Sequence, residues 1–360
     1  MVNLLIQPGD GIAPLIQAIT EAKLSIDIMI FRFDRTEMER ALINAVARGV
    51  KVRALIAYTN RGGEKHLRLL ESRFLAAGVL VSRTSDDLVR YHDKMMIVDS
   101  RELFLLAFNF TYLDIEQSRS FGLAITDPQI VAAAANLFEM DVTRQPYAPL
   151  ADDFIVSPVN SRKRLAEFLQ GAKKELFIYD PRISDAAMMR ILEERAAAGV
   201  SIKVLGRMTK SIAGLELAKL GQIRLHTRMI IRDRAEAFLG SQSLRAVELD
   251  RRREAGLIFR DPAAVESLLN TFLGDWDVAL QAKASADSAS ATPAAKIAKK
   301  VAKAMAKSLD PVAPMIQGVV SGIASADRME IALNDEELEQ AVKDAVKKAV
   351  KEVIEDALVQ

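Results

Sequence analysis

Apolar residues along this chain alternate between two rhythms. Short runs rich in Ile, Val and Phe, such as 24–33 (LSIDIMIFRF) and 95–98 (MMIV), have the length of buried strands. Between them, segments 13–22, 37–47 and 67–77 repeat apolar positions at helical spacing. Strands alternating with helices through Gly turns predict an α/β layered fold.

The pattern occurs twice. ALINAVARGVKVRALIA (41–57) reads as helix, Gly turn and strand, and ILEERAAAGVSIKVLGR (191–207) answers it 150 residues later. HDKMMIVDSRELFLL (92–106) matches HTRMIIRDRAEAFLG (226–240), and SFGLAITDP (120–128) matches EAGLIFRDP (254–262), both offset by 134. The first copy therefore carries 16 extra residues between its Gly-Val turn and its His motif. Two copies of one unit account for 1–148 and 149–282, each expected to be a mixed sheet flanked by helices, related by a pseudo-two-fold.

Composition narrows the function. All 20 aromatic residues precede residue 283, and the stretch from Lys283 turns to Ala, Ser and Lys, which marks 283–360 as an appended linker and helical tail. The net charge of +1 gives no strong nucleic-acid signal. No cysteine is present, which excludes disulfides, thiolate metal sites and cysteine nucleophiles. The N-terminus lacks signal-peptide character and no run has the length of a membrane span, so a cytoplasmic protein, at most peripheral to a membrane, is expected.

The chemistry sits in His92-x-Lys94-x4-Asp99 and its counterpart His226-x-Arg228-x4-Asp233. Read as strands, the motifs project each imidazole and its cation to one face. An imidazole beside a fixed cation suits phosphoryl chemistry, where charge develops on non-bridging oxygens. No His-x3-His, Glu-x2-His or carboxylate cluster has metal-ligand spacing, so neither metal nor cofactor is expected. His66, on a charged helix and without a counterpart, reads as a surface residue.

The paired motifs resemble the phospholipase D superfamily over about 280 residues, and the opening DGIAPLIQAITEAKLSIDIMIF looks like cardiolipin-synthase-type members. In that family a Ser, an Asn and a Glu follow the His at +15, +17 and +28. Here the second copy has Ser241, Ser243 and Glu254 at those positions, and the first has Ala107, Asn109 and Ser120. Arg228 stands where the family has Lys; it keeps the charge and forks two donors onto phosphate. Each copy is incomplete, but together they retain one Ser, one Asn and one Glu.

The resemblance implies a phosphodiesterase or phosphatidyltransferase acting on phospholipid at a membrane surface through a phosphohistidine. Lys94 and Arg228 would hold phosphate oxygens, with Asn109 and Ser241 (and Ser243 at the Asn position) as neutral donors. Glu254 is expected to orient His226 and raise its pKa, making it the acid and His92 the nucleophile. Asp99 and Asp233 would serve the structure around the site. A superfamily nuclease and an impaired lipid-binding scaffold are the rival readings; Arg228, Ala107 and Ser120 favour the scaffold. In the tail, Lys296, Lys299, Lys300, Lys303 and Lys307 line one helical face, fit either for anionic lipid (296–307) or for a soluble Ala/Lys spacer. A second stripe, Leu338 to Val353, follows a capping-box-like start at Asn334 and Glu337.

Overall fold

The apolar runs become strands and the patterns between them helices. The computed structural model describes residues 2–58 and 64–289, so the tail segments 296–307 and 334–353 lie outside the described residues. The first half runs β1 (Val2–Gln7), α1 (Ala13–Glu21), β2 (Ser25–Ile30), α2 (Thr36–Ala47), β3 (Lys51–Ile56), α3 (Glu64–Ala76), β4 (Leu80–Arg83), β5 (Arg90–Tyr91), β6 (Met95–Val98), β7 (Glu102–Leu106), α4 (Tyr112–Glu116), β8 (Ser118–Ile125) and α5 (Pro128–Thr143). The second runs β9 (Phe154–Ser157), α6 (Ser161–Gln170), β10 (Glu175–Ile183), α7 (Ala186–Ala197), β11 (Ser201–Met208), β12 (Leu215–Ala218), β13 (Arg224–Leu225), β14 (Arg228–Arg232), β15 (Glu236–Gly240), α8 (Ala246–Asp250), β16 (Arg252–Phe259) and α9 (Pro262–Ala289).

Among the described residues these strands form two eight-stranded sheets. The first is ordered β1-β8-β7-β6-β2-β3-β4; the second is β12-β11-β10-β14-β15-β16-β5, with β9 on β16. In both, one wing is parallel (β2-β3-β4 and β10-β11-β12) and the rest of the long ladders are antiparallel. Each half is thus a mixed α/β sheet, and the two repeat element for element except for α3, which lies between β3 and β4 and has no counterpart between β11 and β12. Two strands break the separation. β5 leaves the first half and pairs with β16; β13 leaves the second and pairs with β8.

Three apolar clusters build the layers. The inner faces of both sheets meet α5 and α9 in a central cluster that includes Met95, Phe138, Tyr179, Met229 and Phe272. The outer face of the first sheet is covered by α1, α2 and α3, and that of the second by α6, α7 and α8. A central helix needs apolar residues around most of its surface, and Val131, Ala133, Ala134, Leu137 and Phe138 of α5 supply them. Its start is fixed by the Asp127 carboxylate, which accepts from the backbone N–H of Gln129 and Ile130, followed by Pro at the first helical position.

Two expected boundaries move. The run 24–33 predicts a longer strand than the observed Ser25–Ile30. Leu24 is largely exposed, and beyond Ile30 the chain leaves the ladder so that Phe31 packs edge-on to His92 at 4.6 Å. At the other end, α9 runs through the expected break at 282/283 to Ala289, because nothing in KASADSA stops a helix.

Phe272 is fully buried and meets the rings of Phe177 (5.4 Å), Tyr179 (4.9 Å) and Trp276 (5.9 Å) where α9 lies on the second sheet. Phe272→Ala should cost about 3–5 kcal/mol through lost contacts and a residual cavity. Urea unfolding should show a lower midpoint with an unchanged slope; an unchanged midpoint would mean that the packing collapses around the gap.

Candidate active site

The exchanged strands place the histidines. Arg90 and Tyr91 of β5 lie parallel to Arg252 and Arg253 of β16, and the next residue, His92, donates its backbone N–H to the Arg253 carbonyl at 2.7 Å. The second half mirrors this: Arg224 and Leu225 of β13 lie along Ser118 and Arg119 of β8, and His226 donates to the Arg119 carbonyl at 3.1 Å. The expected strand geometry of the motifs is therefore corrected. His92-Asp93-Lys94 is not a strand but the link by which the chain crosses from the other half's sheet back to its own, and β6 begins only at Met95. Lys94 nevertheless turns back toward His92, its ammonium donating to the His92 carbonyl.

Each imidazole receives a carboxylate from the opposite half. Glu254 Oε2 lies 2.8 Å from His92 Nδ1, with Glu254 wholly buried. This overturns the expectation that Glu254 serves His226. Register is the reason: β16 carries β5 with Arg253 opposite Tyr91, which sets the next residue, Glu254, against the edge of His92. The carboxylate facing His226 is Asp114, at 3.4 Å from Nδ1, on the short helix α4. Its signal was present in the duplication, since Asn109-x4-Asp114 and Ser243-x4-Glu248 occupy equivalent positions 134 residues apart.

The remaining motif residues divide by role. Asn109 gives both its backbone and side-chain N–H to Asp114 (2.9 and 2.6 Å). Arg228 donates from Nε to Ser243 Oγ at 3.0 Å and lies 3.6 Å from Glu248. Ser241 is engaged with strand β16, accepting from the Ala255 N–H at 3.2 Å. Ala107 is buried without a polar group to offer, and Ser120 reaches the His226 carbonyl at 3.5 Å. Asp99 and Asp233 sit at the far ends of β6 and β14, in hairpin turns at φ 52° and 51°. Each gathers three backbone N–H groups, from Lys23, Leu24 and Ser25 and from Lys173, Lys174 and Glu175. They are turn clamps. His66 is exposed on α3.

Residues 15–142 match the family model described as cardiolipin synthase, PLD-like domain. These residues thus form a phospholipase D-like domain. It is similar to the mitochondrial cardiolipin hydrolase of Danio rerio, 28% identical over 120 residues, covering 32% of this chain and 50% of that protein. The chain thus spans about half the length of the curated relative it matches. In fold it is similar to polyphosphate kinase from Porphyromonas gingivalis (TM-score 0.66, 16% identity, 77% of this chain and 50% of that one). It is also similar in fold to phosphatidylserine synthase of Haemophilus influenzae Rd KW20 (TM-score 0.58, 11% identity, 76% of this chain and 85% of that one).

Burial dominates the electrostatics of this site. It holds His92 well below the ordinary imidazole value, reinforced by Lys94 and Arg228. His226 is lowered for the same reason, against the pull of Asp114. Lys94 is brought down to about 7 by burial, although Glu254 opposes the shift. Burial works against ionisation of Asp114 as well, but the positive groups facing it, His226 when protonated and Arg224 at 2.6 Å, keep it below the usual carboxylate range. Charges of both halves bear on both imidazoles: Arg228 on His92 and Lys94 on His226.

A depressed imidazole couples stability to pH with a definite sign. The unfolded chain takes up protons below its ordinary value of about 6.5 while folded His92 does not, so stability falls as pH drops below that value. For one such group the slope is about 1.4 kcal/mol per pH unit. In urea unfolding between pH 7 and 5, His92→Asn should lose stability less steeply than the parent by about that slope. Equal slopes would show that His92 is not held neutral.

Proposed function

We propose that this protein is a phosphodiesterase or phosphatidyltransferase of phospholipase D type, with residues 1–148 and 149–282 contributing to one shared site. The observation that carries the reading is the reciprocal pairing of each imidazole with a buried carboxylate of the other half, beside Lys94 and Arg228. Phospholipid is the inferred substrate class. The superfamily assignment rests on a cardiolipin synthase domain and a cardiolipin hydrolase relative, and the near-neutral net charge speaks against a nuclease groove.

In this mechanism His92 is the nucleophile. Glu254 holds the Nδ1 proton, which leaves the Nε2 lone pair for phosphorus. The new P–N bond forms as the P–O bond to the leaving alcohol breaks, and His226 gives that oxygen a proton. Asp114 and the negative charge of the diester both favour the imidazolium that His226 needs. Water or an acceptor alcohol then attacks phosphorus, returns a proton to His226 and releases His92. Lys94 and Arg228 hold the non-bridging oxygens, with Asn109 and Ser243 beside them as neutral donors. His92 keeps the role expected from sequence, but for a different reason: Glu254 fixes its tautomer.

Head-group release from phosphatidyl lipid, set beside cleavage of DNA, tests the substrate class, with His92→Ala as control. Labelled phosphate should be trapped on His92. His226→Ala should slow trapping with alkyl leaving groups yet permit it with p-nitrophenol, which leaves without a proton. Glu254→Gln should slow trapping with both by about tenfold to a hundredfold, equivalent to ~1.4–2.7 kcal/mol. Label on His226 would reverse the two roles, and no phosphoenzyme together with no turnover of any diester would favour a scaffold.

A further inference from the structure

Each histidine leans on a carbonyl belonging to an arginine, and those two arginines are equivalent. Arg119 and Arg253 are 134 residues apart, each 27 residues after the histidine of its own copy. Each supports the histidine of the other copy. The arginine side chains turn away from the imidazoles and enter matching braces. Arg253 meets Asp141 of α5 at 3.1 Å and donates to the Ser157 carbonyl at 3.1 Å. Arg119 forks onto Asp275 of α9 at 2.7 and 3.0 Å and donates to the Gln7 carbonyl at 2.8 Å. Asp141 and Asp275 are again 134 apart, and Gln7 and Ser157 both end the edge strands β1 and β9. Three partners recur in register.

We infer that Asp141–Arg253 and Asp275–Arg119 are positioning pairs that fix His92 and His226, respectively, by holding the carbonyl on which each backbone N–H rests. A buried carboxylate–guanidinium pair is a poor source of net stability, because desolvating the charges offsets their attraction. An aliphatic pair would pack the central helices as well. What the ionic pair adds is direction: a planar fork tied to a helix carboxylate and a strand carbonyl leaves its own backbone little freedom. The histidine above it inherits that restriction. In the second brace Tyr179 also donates to Asp275 at 2.6 Å, while in the first the Arg253 guanidinium lies over the Tyr91 ring at 5.6 Å.

Only the kinetic part of this inference rests on the proposed phosphodiesterase reading. The test is therefore read twice. The chain has three histidines, so isotope-labelled histidine NMR resolves His66, His92 and His226 individually. Arg253→Lys should displace the His92 ring signals and spare those of His226; Arg119→Lys should do the reverse. A lysine keeps the charge but cannot satisfy the carboxylate and the carbonyl together. Where Arg253→Lys fails to fold by circular dichroism, Asp141→Asn is read in its place with the same expectation. Shifts that fall on both histidines alike, or on neither, overturn the inference whether or not the protein turns over a diester. With turnover, kcat should fall about tenfold to a hundredfold while KM stays within about twofold, as for a misplaced reacting group. A change confined to KM would overturn it too.

Discussion

The site depends on a reciprocal exchange of two very short strands. β5 and β13 contain two residues each, too few to contribute much to stability. Their consequence is address. By lying on the other half's last strand, each delivers its histidine to that half's backbone, and the carboxylate that serves the histidine comes from that same opposite half. For His92 and His226 alike, the imidazole and its carboxylate come from different halves. A chain built this way has a physical reason to keep both copies together, and the central cluster around α5 and α9 joins them.

The exchange also concentrates charge where water is scarce. Lys94, Arg228, Glu248 and Glu254 are almost wholly buried, and Asp114 and Asp180 with them. In such surroundings a charge is felt farther and more strongly than at the surface, and an unpaired one is costly. Burial works against the charge of Arg228, but the negative charges of Glu248, Glu254, Asp180 and Asp114 outweigh it and favour the guanidinium. Asp180 does structural work at the same place, accepting the Leu244 N–H at 2.8 Å and so holding the segment that carries Ser243. β11 also comes close to β10 here: a Cβ on Gly206 would stand 1.8 Å from the Asp180 carbonyl oxygen.

Much of this was legible in the sequence, and the duplication made it so. Strand and helix types, the layered class and the equivalence of His92 with His226 follow from repeats at fixed offsets. What the offsets cannot reveal is which copy serves which. Spacing within one copy placed Glu254 near His226, whereas a parallel pairing of two residues carried it to His92. Nor does strand periodicity extend to His92-Asp93-Lys94, where the chain crosses between sheets and no ladder imposes alternation. Asp114 was overlooked because it belongs to no His-x-Lys pattern, although its register with Glu248 marked a carboxylate slot used by both copies.

That shared slot explains how the two copies came to differ without losing balance. In the first, the longer Asn109 meets the shorter Asp114; in the second, the shorter Ser243 meets the longer Glu248, whose carboxylate accepts the Ser243 N–H at 2.8 Å. The lengths trade. Asp114 thereby stands beside His226, while Glu248 stands beside Arg228, the longer cation that replaces lysine. Arg228 is consequently held by a hydroxyl and a carboxylate, but the Lys94 ammonium donates to a backbone carbonyl. A carbonyl gives up a cation to an incoming phosphate more readily than a carboxylate does, since no charge is left behind unpaired. Within one duplicated frame, then, the proposed mechanism gives Lys94 the part of the cation that meets the substrate first and Arg228 that of the cation already fixed in position.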